Sequence, residues 1–137
     1  FSASGIQFAR YSGACPRWNV FTALLQPGRI TTQISTMPDG TTYFCLARAI
    51  RKGDRGYHAR PTVHAIGLGC QLEEARQLVY GDGIDLTRLD SSVPIGVTCR
   101  LCPRGDCEQR AMPSVGDPLR VDEDTRGVAF YARPAED

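Results

Sequence analysis

The chain has 137 residues, 42% hydrophobic and 23% charged, with 16 basic and 15 acidic residues for a formal net charge of +1. That is the length of one domain, which buries roughly 68% of its unfolded surface and needs no crosslinks to hold a core. The charge balance excludes a free-standing nucleic-acid binder, the composition excludes a disordered chain, and no apolar run approaches the ~18 residues of a membrane-spanning helix.

The chain opens on Phe1, with no initiator Met and no signal peptide. It reads as a single domain over 1–137, a piece of a longer cytoplasmic protein. All the basic residues except Lys52 are Arg, either genome composition or an abundance of guanidinium forks suited to phosphate and carboxylate.

Residues 6–14 are mixed in pattern. Val20, Phe21, Ala23, Leu24 and Leu25 form a short amphipathic helix that Pro27-Gly28 terminates. Arg29 to Met37 and Thr41 to Ile50 are strand-like runs around Pro38-Asp39-Gly40, a hairpin with turn chemistry at its tip. A two-residue Asp39-Gly40 loop would pair positions summing to 79. One face would then carry Ile30, Thr32, Ile34, Tyr43, Cys45, Ala47 and Ala49 as a core. The other would set Arg29, Thr31, Gln33 and Ser35 opposite Phe44, Leu46, Arg48 and Ile50, either the lining of a ligand cavity or a partly solvated sheet face.

Residues 51–61 read as a polar loop and Thr62 to Gly69 as a third strand, with Thr62, His64, Ile66 and Leu68 on one face. Leu72, Ala75, Leu78 and Val79 mark the clearest helix, with Glu73 and Glu74 in its first turn, stopped by Gly81-Asp82-Gly83. Val93 to Val97 is a short extended piece, and Gly127 to Tyr131 a last strand. The pattern predicts an α+β fold with a mainly antiparallel sheet, flanking helices and a cysteine-rich C-terminal loop.

Three of the six cysteines fall within nine residues, Cys99-x2-Cys102-x4-Cys107. Thiols clustered in this way, without an export signal, point to a metal and away from a disulfide scaffold. Thiolates suit zinc or iron–sulfur, and an all-cysteine site wants a fourth ligand from elsewhere. Cys70 is the first choice, since it stands where a strand gives way to a helix, and Cys15 is the alternative because it too precedes a helix. Cys45, mid-strand, reads as a small buried hydrophobe. Arg100, Arg104 and Arg110 would offset the negative charge of such a site. No G-x-S-x-G, H-E-x-x-H or GxGxxG occurs, and His58 and His64 have no partner that would make either a base, so the chain does not read as an enzyme.

Four separated stretches then combine: Gly13-Ala14-Cys15-Pro16-Arg17-Trp18-Asn19-Val20; Pro27-Gly28-Arg29-Ile30 with Gln33 and Met37-Pro38-Asp39-Gly40; Ile66-Gly67-Leu68-Gly69-Cys70; and Pro94 through Cys102 to Cys107-Glu108-Gln109-Arg110-Ala111. Over residues 13–113 the chain resembles the C-terminal sensory domain of the short-chain fatty-acyl-CoA-responsive transcriptional regulators, the group containing propionate-catabolism and glyoxylate-cycle regulators. The resemblance implies a bacterial cytoplasmic regulator of short-chain fatty-acid metabolism genes, with an N-terminal helix-turn-helix that contacts DNA and is absent here. It implies a GAF-like sensor fold that binds a short acyl-CoA near an iron–sulfur cluster, [4Fe-4S], with zinc as the alternative metal and a homodimer as one assembly. A zinc-stabilised interaction module of a regulator is the alternative reading, and a thioester-acting enzyme the third. The family's cysteines carry over onto Cys15, Cys70, Cys99, Cys102 and Cys107, five candidates for four places. At Cys45 and His64 the chain departs from the family pattern, which puts the preferred acyl group in doubt. Phosphate and pantetheine call for cations and an apolar or aromatic slot, and Arg17, Trp18, Arg29 and Arg48 are the candidates for them.

Overall fold

The computed structural model describes residues 14–53, 56–116, 123, 124, 129 and 131. The expected strand over 127–131 lies mostly outside these residues, as does the mixed stretch before Ala14. Four strands, β1 (Ile30–Thr36), β2 (Thr42–Lys52), β3 (Thr62–Gln71) and β4 (Val93–Pro94), form one sheet in the order β3-β2-β1-β4. β1, β2 and β3 pair antiparallel, while β4 runs parallel to β1, so the α+β fold carries a mixed sheet.

The hairpin register differs by one residue from the expected one. Ile30 pairs with Arg48 and Thr36 with Thr42, so partners sum to 78. The turn explains it. The Met37 N–H bonds to the Thr41 carbonyl at 2.8 Å, closing a three-residue loop, Pro38-Asp39-Gly40, in place of a two-residue one. Gly40 takes φ +87°, a left-handed conformation in which a side chain would be strained. The Thr41 N–H also donates to the Asp39 carboxylate at 2.9 Å.

A shift of one residue exchanges the cross-strand company of every side chain. Ile34 and Phe44 now share a face, where they pack with Leu72 and Ala75 against Leu46, Cys70, Leu78, Ile84 and Leu86. On the opposite face Ala47 and Ala49 pack under Ala23 of the helix α1 (Asn19–Leu25), flanked by Val20 and Val63. Small residues let α1 lie close to the sheet. A Cβ added to Gly67 of β3 would stand 2.7 Å from Val20 Cγ1.

The expected helix after β3 is instead two 3-10 segments, Leu72–Gln77 and Val79–Gly81, broken at Leu78 by extended backbone (φ −101°, ψ 132°). Its apolar residues explain the tighter winding. Leu72, Ala75 and Leu78 recur every three positions, which aligns them on a three-residue turn but would drift them around an α-helix. No helix of the described residues is long and apolar enough to cross a membrane.

Candidate functional site

Between the end of the sheet and residue 110 the chain has little regular structure, and its shape comes from individual bonds. The Thr36 carbonyl, at the end of β1, accepts the Ile95 N–H at 2.9 Å and the Arg104 guanidinium at 3.2 Å. Ala14 forms an isolated antiparallel bridge with Thr98. That bridge ties the segment carrying Cys15 to the loop carrying Cys99, and both cysteines line one cavity. Arg110, 7% exposed, fills the inside of the loop, and its guanidinium donates to the carbonyls of Cys99 at 2.8 Å, Cys102 at 3.1 Å and Arg104. A buried guanidinium with its donors directed at carbonyls is satisfied by the backbone that it organises.

The result is a small cavity of about 10 Å³ lined by Cys15, Cys99, Cys102 and Cys107 with Pro94, Ile95, Gly96, Arg104 and Arg110. Gly96 makes room for it, since a Cβ there would lie 2.9 Å from Cys102 Sγ. Burial pushes the Cys15 thiol above its ordinary pKa. Backbone N–H groups of Gly96 and Arg17 directed at its sulfur oppose that rise, and the charges of Cys99 and Cys102 add to it. The sulfurs are therefore near enough to feel one another, in a pocket whose walls are apolar or cationic. Soft donors, N–H groups directed at sulfur and a nearby guanidinium suit a thiolate-bound metal or an iron–sulfur cluster. Among the described residues, no three His, Cys, Asp or Glu side chains are already arranged to hold a metal ion.

Cys70 does not line this cavity. It pairs with Phe44 across β2 and β3 and packs against the Ile34–Phe44 cluster, where burial first, and then Glu74, raise its thiol pKa. Cys45 pairs with Gln33, and its thiol is likewise raised chiefly by burial.

A larger cavity, about 460 Å³, wraps around the outer edge of β1 between α1 and the segment 84–93. Asn19, Thr22, Thr31, Thr32, Gln33, Ile34, Phe44, Ile84, Ser91 and Val93 line it. Asn19 is the keystone of its polar wall. Its side-chain amide donates to the carbonyls of Thr31 and Cys45, each at 3.2 Å, and its backbone N–H to Gln33 Oε1 at 2.8 Å. Gln33 Nε2 in turn reaches the Arg17 carbonyl at 2.9 Å. The volume and the mix of apolar and polar lining are those of a small-molecule site.

None of Arg17, Trp18, Arg29 and Arg48 lines this cavity. Trp18 is the N-cap of α1. Arg29 is exposed and holds Gln26 Oε1 at 3.2 Å, and Arg48 is exposed between Ile30 and Ile66. Thr31, Gln33 and Phe44, expected on a cavity face, do line it, from two sides of β1. Sequence reasoning missed Asn19 and Gly96. Both lie inside the stretches that carry the family resemblance, the only signal that could have marked them.

A family model described as "Short-chain fatty acyl coenzyme A regulator, C-terminal" matches residues 1–131. A propionyl-CoA carboxylase regulator of Cereibacter sphaeroides is 47% identical over 130 residues, which are 95% of this chain and 28% of the relative. The HTH-type transcriptional regulator PrpR of Mycobacterium tuberculosis is 42% identical over 131 residues, 96% of this chain and 27% of the relative. A solved Mycobacterium tuberculosis transcriptional regulator superposes with a TM-score of 0.83 at 40% identity, covering 95% of this chain and 40% of that one. This chain thus spans little more than a quarter of the length of these curated relatives, and it belongs to the short-chain fatty acyl coenzyme A regulator family, in the C-terminal part that the family model describes.

Proposed function

We propose that the chain is the acyl-CoA-sensing, non-enzymatic part of a bacterial, cytoplasmic transcriptional regulator of short-chain fatty-acid metabolism. In this reading it is a GAF-like domain, and DNA is contacted by a helix-turn-helix elsewhere in the longer protein. Four cysteines, Cys15, Cys99, Cys102 and Cys107, hold an iron–sulfur cluster, [4Fe-4S], with Cys15 taking the fourth place in preference to Cys70. The observation that carries this is the gathering of one distant and three clustered cysteines around one cavity. The relatives' names, a propionyl-CoA carboxylase regulator and HTH-type regulators, support the regulatory reading.

When bound, the cluster supplies a rigid crosslink between residue 15 and the loop 99–107, and a centre sensitive to oxidation. The chain's own residues do the rest. Arg110 fixes the loop carbonyls, Gly96 leaves room for Cys102, and Gly96 and Arg17 direct N–H groups at the Cys15 sulfur. The acyl end of the ligand enters the 460 Å³ cavity beside Asn19 and Gln33. Ligand changes operator affinity to the extent that it binds two conformations unequally.

An anaerobic visible spectrum with iron, sulfide and zinc analysis tests the metal. Brown protein with iron and sulfide is expected, with the colour lost in Cys15→Ser and kept in Cys70→Ser. Colourless protein containing zinc alone would replace the cluster with the zinc reading. Calorimetry against short acyl-CoAs tests the ligand, and absence of binding by the metallated protein at millimolar concentration overturns the sensing assignment.

A further inference from the structure

Two arginines line the cysteine cavity, and the loop uses them differently. Arg110 directs its guanidinium at the carbonyls of Cys99, Cys102 and Arg104, so it holds backbone. Arg104, between Cys102 and Cys107 in the chain, places Nη2 on the Thr36 carbonyl at 3.2 Å. Its Nε is buried and has no hydrogen-bond partner among the described residues. Buried donors are nearly always paired, because a bond to water that is not replaced is costly. A donor left over in a cavity wall therefore bears on what the cavity holds.

The acceptors that the lining cysteines still offer are few. Trp18 N–H takes the Cys15 carbonyl, and Arg110 takes those of Cys99, Cys102 and Cys107 through its side chain and its backbone N–H. The Cys15 sulfur already receives N–H groups of Gly96 and Arg17. What remains is the sulfur of Cys99, Cys102 and Cys107. A neutral thiol accepts weakly, whereas a metal-bound thiolate carries the charge that makes a good acceptor.

We propose that the Arg104 Nε–H donates to a metal-bound sulfur of Cys99, Cys102 or Cys107 and so sets the electron affinity of the centre. The assignment rests on the four-cysteine reading of the cavity. Arg104 is a positioning residue, acting on the metal through a cysteine. A hydrogen bond at sulfur draws off electron density, favours the more negative reduced state and raises the reduction potential. The guanidinium is planar and rigid, so Nη2 held at the end of β1 restrains where Nε stands.

Arg104→Lys separates the two duties, since an ammonium keeps the charge and can reach the Thr36 carbonyl but has no donor at the Nε position. The 137-residue chain is purified without oxygen and its iron, sulfide and zinc are measured. In iron-bearing protein, the variant should match wild type in iron content and melting temperature and show a lower reduction potential. Arg100→Lys changes an exposed arginine of the same loop that does not line the cavity, and should leave the potential unchanged. For zinc-bearing protein, or a variant that loses its metal or its fold, wild type loaded with cadmium-113 decides. Its Arg104 Nε proton should then show scalar coupling to the metal through the hydrogen bond. Equal potentials in wild type and Arg104→Lys, or no coupling to cadmium, overturn the proposal and leave the four-cysteine reading standing. A wild-type chain that binds no metal overturns both.

Discussion

The hairpin sheet and the cysteine loop occupy the same small molecule but are held by opposite means. In β1, β2 and β3 order is repetitive. Backbone bonds recur at every second residue, and two thin clusters, one around Phe44 and one around Ala47, lock the two faces. Between Ile95 and Arg110 there is no repeat. The guanidinium groups of Arg110 and Arg104, the bridge between Ala14 and Thr98, the shared carbonyl at Thr36 and a few isolated backbone bonds define the shape. Repetition spreads a loss over many bonds, whereas a loop built from single contacts fails at each of them.

The comparison is broken most severely on the sheet side. Phe44, 1% exposed, is the largest fully buried side chain among the described residues. Phe44→Ala should cost roughly 3–5 kcal/mol and lower the denaturant midpoint of the whole chain. Arg110→Met should cost about 3 kcal/mol through three carbonyls left without their donor, but locally. Amide exchange should accelerate over 99–110 while β2 and β3 keep their protection, and a uniform loss across the chain would refute the division into two regimes. Asn19→Ala touches the seam at which α1 meets the sheet and should cost about 1–2 kcal/mol by removing the second hydrogen bond of the Thr31 and Cys45 carbonyls, which keep their ladder partners. Reduced affinity for acyl-CoA would accompany it.

The smallest effect is at the hairpin tip. Hydrogen bonds from Thr41 hold the Asp39 carboxyl below its ordinary value of 3.8. A depressed folded pKa contributes stability above the unfolded value and loses it as pH falls through the folded one. Asp39→Asn should therefore lower Tm slightly at neutral pH, and the difference from wild type should vanish in strong acid.

The same division decides what the sequence could reveal. The strand runs over 29–37, 41–50 and 62–69, the short helix ended by Pro27-Gly28 and the clustering of Cys99, Cys102 and Cys107 are local patterns, and the structure carries each of them. The register was not legible, because Pro38-Asp39-Gly40 supports a two- or a three-residue loop and only packing of Ile34 with Phe44 selects between them. Winding of the segment after β3 is ambiguous in sequence because Leu72, Ala75 and Leu78 fit both periods closely enough. Cys15 and Cys70 could not be separated either, since both precede helical segments. What distinguishes them is the pairing of Ala14 with Thr98, residues 84 positions apart, and nothing in either neighbourhood announces it. Charge and shape single out Arg17, Trp18, Arg29 and Arg48, whereas the cavity around β1 is lined by Asn19, Thr31 and Gln33, polar residues without a distinctive spacing.

Thr36 has a practical corollary. Because its one carbonyl holds both Ile95 and Arg104, the sulfur loop cannot be grafted alone into a foreign scaffold. A transplant would have to bring the last residues of β1 with it, or supply an acceptor in the same position, before the recipient could reproduce the fit.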